Sequence, residues 1–523
     1  MGASISSIDT AIVIGYFALV LIIGILIARK TKTSEDLFLG GRTFGWGLIG
    51  LSLFASNISS STIIGLTGAA YKTGIVDSVY EWMSGLPLII AALFFVPIYL
   101  KNKITTIPEF LEKRFDGRSQ LFFSGVTIFS TIMIETAGGL YAGVIVIKAF
   151  YPDIVMWQAA MGLALIAGMY TALGGLKAVV YTDAIQAIIL IVGCAALTWQ
   201  LYGMLDYDWS KVVASAPENH FSVVRPLDDE AIPWPGLIMG VPFLGFWYWS
   251  TNQYIIQRVL GARDLKQARW GVIFAGFLKI IPLFIMVIPG AMAISLFPSI
   301  EIKDQVFPFL VTEVLPVGLI GLVLAGLISA ILSSVDSALN SSSTLVIIDF
   351  VQKFKKDLTQ EEMVRYGRIA TFVFMIIAAA WAPQIAHFSG LWGYLQQMFS
   401  IIVPPIAVIF LAGIFFKRGN AQGSFYTLLL GTIAGIVMFY LRVQGIYELH
   451  FTMTVGLMVL LSTVVFIGVS LATPPPPLSS IENLVYDRAD ITAGFEEVPW
   501  YKNYLYQLTF LAILIFSILI WLW

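Results

Sequence analysis

The chain has 523 residues, of which 58% are hydrophobic and only 12% charged, with a mean hydropathy of +0.86. That composition excludes a soluble globular domain. The formal charge of −2, from 30 Lys and Arg against 32 Asp and Glu, leaves no basic excess for nucleic acid. Cys194 is the single cysteine and lies in an apolar stretch, so no disulfide is expected.

A membrane-crossing helix needs roughly 20 predominantly apolar residues. Fourteen such stretches follow one another at about 9–28, 46–70, 76–100, 120–147, 154–173, 179–203, 235–257, 271–297, 316–349, 369–389, 391–415, 423–441, 450–472 and 504–523. The expectation is an all-α polytopic protein of about fourteen transmembrane helices. Met1 to Asp9 carries no basic segment, so the first apolar run reads as a retained span rather than a cleaved signal. Lys and Arg divide 23 to 6 between alternate loops, starting with Arg29, Lys30, Lys32 and Arg42 in the first. By the positive-inside rule both termini are then outside. The 204–234 loop would be external and acidic. The outside loops lack an Asn-x-Ser/Thr acceptor, which favours a bacterial inner membrane over a glycosylated plasma membrane. The stretch 473–503, opening with Pro474 to Pro477, reads as a cytoplasmic linker to the last helix.

Two spans carry residues that weaken a helix. The second contains Ala55-Ser56-Asn57-Ile58-Ser59-Ser60-Ser61-Thr62, and the seventh has Gly240, Pro242 and Gly245 ahead of Phe246-Trp247-Tyr248-Trp249-Ser250-Thr251-Asn252-Gln253. Unwound backbone at membrane depth is tolerated only where it lines a cavity or is buried in protein. The interruptions are five spans apart, the pattern of two inverted five-helix repeats with a binding site at the midplane. The organisation expected is an additional helix (1–30), a first repeat (45–203), a second repeat (235–415) and peripheral helices (423–523). The alternative is that Gly and Ser here only permit close helix packing. In the ninth span, Ser333-Ser334 and Asn340-Ser341-Ser342-Ser343-Thr344 supply hydroxyls, hard oxygen ligands that suit an alkali cation.

Lys279 lies deep in the otherwise uncharged run Gly271 to Leu296. A cation at mid-membrane costs roughly 2.5–3.5 kcal/mol on insertion scales, so it needs a partner, a polar cavity, or both. Glu81, within Tyr80-Glu81-Trp82, is the natural counter-charge. Glu135, Asp183 and Asp336 are submerged carboxylates open to either a structural or a functional role. Gln396 and Gln397 interrupt a later span with amides that both donate and accept. Tyr248 and Trp249 offer faces for stacking on a sugar ring, against the alternative of ordinary packing. The three histidines fall in or near loops, which suggests neither a metal site nor a proton relay. Neither a phosphate-binding loop nor a nucleophile–base set is visible, so neither ATP-driven transport nor an enzyme is expected.

Taken together, Ser56-Asn57-Ile58-Ser59, Tyr80-Glu81-Trp82, Ile107-Pro108-Glu109-Phe110, Gly174-Gly175-Leu176-Lys177 through Thr182-Asp183, Trp247-Tyr248-Trp249, Asn252-Gln253 with Ile256-Gln257-Arg258, Phe277-Leu278-Lys279, and Ser333-Ser334 with Asn340-Ser341 resemble the sodium–solute symporter family. The closest branch is the sodium–glucose/galactose symporters, and the likeness runs from about residue 8 to 472. The resemblance implies a LeuT-like core and sodium-driven alternating access. It implies that Asn57, Glu81, Lys279 and Gln396 hold sugar hydroxyls, with Ser84 beside them, Tyr248 closing over the sugar and Trp249 accompanying it. It also implies a sodium position built from the carbonyls of Ala55, Ile58 and Ala330 and the hydroxyls of Ser333 and Ser334. Thr62 and Gly245 depart from the pattern, replacing longer polar side chains, which leaves the identity of the monosaccharide open. Asp336 also departs, and with Asp183 it could build a second sodium position or serve as a proton-carrying or structural carboxylate. The expected partners are a small-molecule monosaccharide, sodium and the lipid bilayer, with no nucleic acid and the monomer as functional unit. Myo-inositol, a sugar acid, an amino acid or a nucleoside stand as alternative solutes, and a sodium-gated sensor or channel as an alternative mode.

Overall fold

A computed structural model describes residues 6–28, 33–150, 152–355, 357–388, 390–492 and 499–523. Arg29, Lys30, Lys32 and part of the 473–503 linker lie outside the described residues. Within them the chain is helical throughout, and the only extended pairings are two isolated bridges, Phe44 with Ala262 and Arg225 with Pro233.

Ten described helices are long and apolar enough to cross a membrane: Ile75–Lys101, Gly117–Lys148, Leu176–Met204, Leu265–Leu296, Leu319–Phe354, Gln360–His387, Leu391–Phe415, Ala421–Val443, Phe451–Ala472 and Tyr504–Trp521. The pair Trp46–Asn57 and Ser60–Thr73, bent by 56°, makes an eleventh. Of the other three stretches, the first is the apolar helix Ser7–Ala28 and the fifth opens the helix Met156–Met204. The seventh is divided into Trp234–Met239, Val241–Phe246, Trp247–Thr251 and Gln253–Leu260.

Helical hydrogen bonding runs on from Met156 to Met204, across the fifth and sixth stretches. A straight helix would separate Leu163 from Asp183 by about 30 Å. Yet Leu163 and Ile331 both lie within 3.1 Å of where a Cβ on Gly143 would stand, and Asp183 accepts a hydrogen bond from Ser333. Two points so close on one helix cannot each meet an end of a straight rod. The helix is therefore not straight between Leu163 and Asp183, and Gly143 has no Cβ to clash where Leu163 and Ile331 meet it.

The break in the second span follows from its polar run. Ile58 leaves the helical region at φ −80°, ψ 64°, and Ser59 is extended. Ser59 Oγ accepts from the Thr62 amide at 3.2 Å, capping the second half-helix. Thr62 Oγ1 donates to the Asn57 carbonyl at 2.8 Å, satisfying a group that the break had freed. In the seventh span a π-helical turn, Trp247–Thr251, ends at Asn252, which is extended and caps the next helix by accepting from the Tyr254 amide at 3.0 Å. The eighth span turns as well. Its first helix stops at Leu278, Lys279 caps it, and a π-helical turn resumes at Leu283 after Pro282. Proline has no N–H to extend a helical ladder, so the interruption is built in.

The ninth span packs most extensively on the helix Met156–Met204, and the first half of the second span packs on the eighth. Both broken elements are thus held against the centre of the bundle. Apolar side chains of the tenth, twelfth, thirteenth and fourteenth spans remain outward-facing, among them Ile376, Ile433, Leu460 and Phe510. That is the expected surface for helices that meet lipid.

Candidate functional site

Lys279 stands at the C-terminal cap of the first helix of the eighth span. Its ammonium donates to Glu81 Oε2 and Asn57 Oδ1, and Nζ stands 5.5 Å from the Trp249 ring centroid. Lys279 is 0% exposed and Glu81 2%. Glu81 belongs to the short helix Val79–Trp82, and Asn57 is the last residue before the break. The ion pair therefore joins the third and eighth spans to the unwound point of the second. A buried pair holds together only with good geometry and added hydrogen bonds, and Asn57 provides one.

In front of this pair is a cavity. Asn57, Thr62, Glu81, Ser84, Tyr248, Trp249 and Gln396 line it, together with Ser56, Ser59, Ser61, Glu135, Tyr254 and Ser334. Lys279 stands behind the wall, held by Glu81 and Asn57. Thr62 meets the cavity with its hydroxyl already committed to the Asn57 carbonyl, and Ser84 Oγ donates to the Tyr80 carbonyl at 2.6 Å. Aromatic edges close the remaining faces. Tyr80 meets Trp392 at 5.5 Å, Trp247 meets Phe399 at 4.7 Å, and Tyr248 meets Trp249 at 5.2 Å, all between ring centroids. Polar groups at one wall and aromatic rings at others suit a ligand that is both hydroxylated and partly apolar.

The oxygens expected to hold sodium come from the break in the second span and from the ninth span. Ala55 ends the first half-helix, Ile58 is the break itself, and Ser334 reaches the cavity. Ser334 Oγ donates to the Ala330 carbonyl at 2.8 Å, while Ser333 Oγ donates to Asp183 Oδ1. The Ser56 carbonyl takes a hydrogen bond from the Tyr254 hydroxyl at 2.6 Å. Each hydroxyl keeps lone pairs after donating, and each carbonyl has two, so these oxygens remain usable as hard ligands. Among the described residues, no three or more His, Cys, Asp and Glu side chains gather as a transition-metal site would require.

Asp183 is at the centre of a different network. It accepts from Ser52 at 2.6 Å, from Ser56 at 3.1 Å and from Ser333, and it pairs with Arg258 at 3.4 Å. Arg258 also donates to Ser52 at 2.8 Å, to Ser337 at 2.6 Å, to Ser56 and to the Tyr254 carbonyl. Counting Arg258 with the loop cations is therefore corrected: it is 0% exposed and ties the second, sixth, seventh and ninth spans together. The signal lay in Asn252-Gln253 and Gln257-Arg258, a polar series continuing the broken span inward. Asp336, on the ninth span, is buried.

Glu135 Oε1 accepts from the Asn252 side-chain amide at 2.9 Å, at the seventh-span break. Between the eighth and ninth spans, Asp304 Oδ2 accepts from the Leu391 amide at 3.1 Å and anchors the start of the eleventh span. Burial raises that carboxyl above the usual carboxylate range, and the Leu391 bond opposes the shift.

The family model described as "Sodium:solute symporter family" matches residues 37–431. The chain is 33% identical to the human sodium/myo-inositol cotransporter 2, with 94% of this chain and 80% of the relative covered. It is 31% identical to the rabbit (Oryctolagus cuniculus) sodium/glucose cotransporter 1, with 94% and 84% covered. Among solved structures it superposes on a sodium-coupled sialic acid symporter in an outward-open state, with a TM-score of 0.78, 24% identity and 90% and 99% of the two chains covered. It also superposes on Mhp1, a nucleobase-cation-symport-1 family transporter, with a TM-score of 0.56, 14% identity and 86% and 97% covered. These likenesses give the same LeuT-type fold as the broken second and seventh spans. By its match over most of its length, the chain belongs to the sodium:solute symporter family of multi-pass, sodium-coupled transporters.

Proposed function

We propose that the protein imports a monosaccharide together with sodium by alternating access. The observation that carries this reading is the pairing of Lys279 with Glu81 and Asn57 beside an aromatic-walled cavity at the second-span break. In this reading Asn57, Glu81 and Gln396 exchange hydrogen bonds with hydroxyls of the solute. Lys279 orients Glu81 and Asn57 from behind, and Ser84 and Thr62 fill the pocket edge. Tyr248 and Trp249 cover the apolar face of the ring. Sodium is cargo held by carbonyls of Ala55, Ile58 and Ala330 and hydroxyls of Ser333 and Ser334. It shifts the conformational balance only by binding the outward-open form more tightly. Sodium and solute must then strengthen one another's binding by the same factor.

The names of the relatives support a second solute, myo-inositol, which like a hexose is a ring bearing hydroxyls. Uptake of labelled hexose and labelled myo-inositol into proteoliposomes, with and without an inward sodium gradient, tests both. Sodium-stimulated accumulation of either identifies the cargo class, and indifference of both to the gradient overturns the proposal.

A further inference from the structure

At one end of the bundle the outer surface carries a groove that the transport site does not use. Trp46 at the start of the second span, Trp270, Phe274 and Phe277 on the eighth, and Tyr501 and Lys502 just ahead of the last helix line it. The eighth span and the last helix are clamped together farther along. Leu511 comes within 2.6 Å of where a Cβ on Gly276 would stand, so glycine there is what lets the two helices close. Beside that contact the surface stays open. Trp46 is 42% exposed and Tyr501 56%, and Trp46 meets Phe274 edge-on with 5.2 Å between ring centroids. Trp and Tyr favour the level of the lipid head groups, where an apolar body meets a polar boundary.

Lys502 and Lys266 stand at the mouth of the groove. Lys502 is part of its lining, and the Lys266 ammonium lies 4.7 Å from the Trp270 ring centroid. Both lysines are exposed, and among the described residues neither pairs with a carboxylate. Asp264, at the head of the same helix as Lys266, is engaged elsewhere: it accepts from the Gln267 amide at 2.8 Å and pairs with Arg263 at 3.4 Å. The Trp46 amide donates to the Gln267 side chain at 2.9 Å, which ties the start of the second span to the start of the eighth. The positive-inside rule assigns this end to the cytoplasm, where the leaflet carries anionic lipids.

We propose that the groove is a binding site for an anionic glycerophospholipid. One acyl chain lies along Trp46, Phe274 and Phe277, and the phosphate sits between Lys266 and Lys502. Basic pockets between membrane helices hold such head groups, and each lysine near the surface adds to the attraction. The chain gives no preference by itself, because every bilayer lipid has one. Selectivity comes from the lysines: a zwitterionic head group brings its own ammonium and gains less from them. The inference is independent of which solute the protein carries.

The test is native mass spectrometry of the full chain offered phosphatidylglycerol and phosphatidylcholine of matched acyl chains. The wild type is expected to retain phosphatidylglycerol preferentially. Lys266→Gln with Lys502→Gln should lower that retention on the order of tenfold, towards the phosphatidylcholine level. Phosphatidylglycerol with a photoactivatable group in its acyl chain, irradiated with the protein in nanodiscs, should label residues 266–277 and 501–507. Deacylated glycerophosphoglycerol should not prevent that labelling. Equal retention of the two lipids by the wild type overturns the proposal, as does unchanged phosphatidylglycerol retention in the double variant. Labelling confined to other spans also overturns it. Competition by the deacylated head group would mean an ion site without a seated chain, and crosslinks between two copies of the chain through the groove would mean a subunit contact; either result ends the proposal.

Discussion

The Lys279 ammonium and the Glu81 carboxylate, 198 positions apart in sequence, form an ion pair in which the lysine has no solvent exposure. The pair fixes the turn of the eighth span against the third and leaves Asn57 as the shared neighbour. Removing one member leaves the other charged and buried, which costs about 3–5 kcal/mol. Lys279→Met and Glu81→Gln should each lower thermal stability in detergent. The double variant should recover much of that loss while failing to bind solute. Recovery of binding in the double variant would show that the pair serves folding alone.

Arg258 and Asp183 make the second buried pair, in a setting of serines from the second and ninth spans. The forked guanidinium reaches several acceptors at once, which a lysine cannot do. Arg258→Lys should therefore destabilise nearly as much as Arg258→Met. Adding Asp183→Asn to Arg258→Met should restore part of the stability, read as a coupling energy in a double-mutant cycle. Additivity of the two single effects would remove the direct pairing.

Ser333 gives its proton to Asp183 but keeps its lone pairs. Ser333→Ala should raise the sodium concentration for half-maximal uptake several-fold, with a smaller effect on solute affinity at saturating sodium. An unchanged sodium requirement takes Ser333 out of the sodium position. Ser334→Ala, read by the same assay, also frees the Ala330 carbonyl and serves as the comparison.

Asn252 serves two partners at the seventh-span break, accepting from the Tyr254 amide and donating to Glu135. Loss of an N-terminal cap costs roughly 1 kcal/mol. Asn252→Ala should speed amide hydrogen exchange in Gln253–Leu260, whereas Asn252→Asp should keep the cap but set two carboxylates face to face. Slower exchange in Asn252→Asp than in Asn252→Ala, together with weaker solute binding, separates the two roles.

His220 lies in the segment between the sixth and seventh spans, and burial, with the charge of Arg225 second, pulls its imidazole down to about 4. The unfolded chain takes up the proton near pH 6.5, so its contribution is intact above that value. Stability should then fall as pH drops from about 6.5 towards 4. His220→Gln should flatten the thermal-shift profile in that window. His450, also pulled down to about 4, shares the effect, so the doubly substituted protein should be flatter still.

The sequence made the class of fold and the heart of the cavity readable for a local reason. Six polar residues in the eight positions 55–62 of the second span pointed to a break, and one cation in the run from Gly271 to Leu296 needs a partner or a polar cavity. Glu81 was identifiable as that partner because few other carboxylates lie in apolar stretches. Three features were hidden because they depend on distant contacts. Arg258 looked like a loop cation because its acceptors, Ser52, Asp183 and Ser337, come from three other spans. The continuous helix Met156–Met204 was hidden because Gly174, Gly175 and Lys177 read as a loop between two spans. The turn that aims Lys279 is signalled only by Pro282, three residues onward, and proline alone does not tell a kink from a stop.

The internal cancellation of Lys279 by Glu81 also bears on how the transporter responds to voltage. An elementary charge crossing the whole membrane field is worth about 2.3 kcal/mol per 100 mV, but a neutral couple moving as one body gains nothing from it. The incoming sodium ion is then the net charge on which the membrane potential acts.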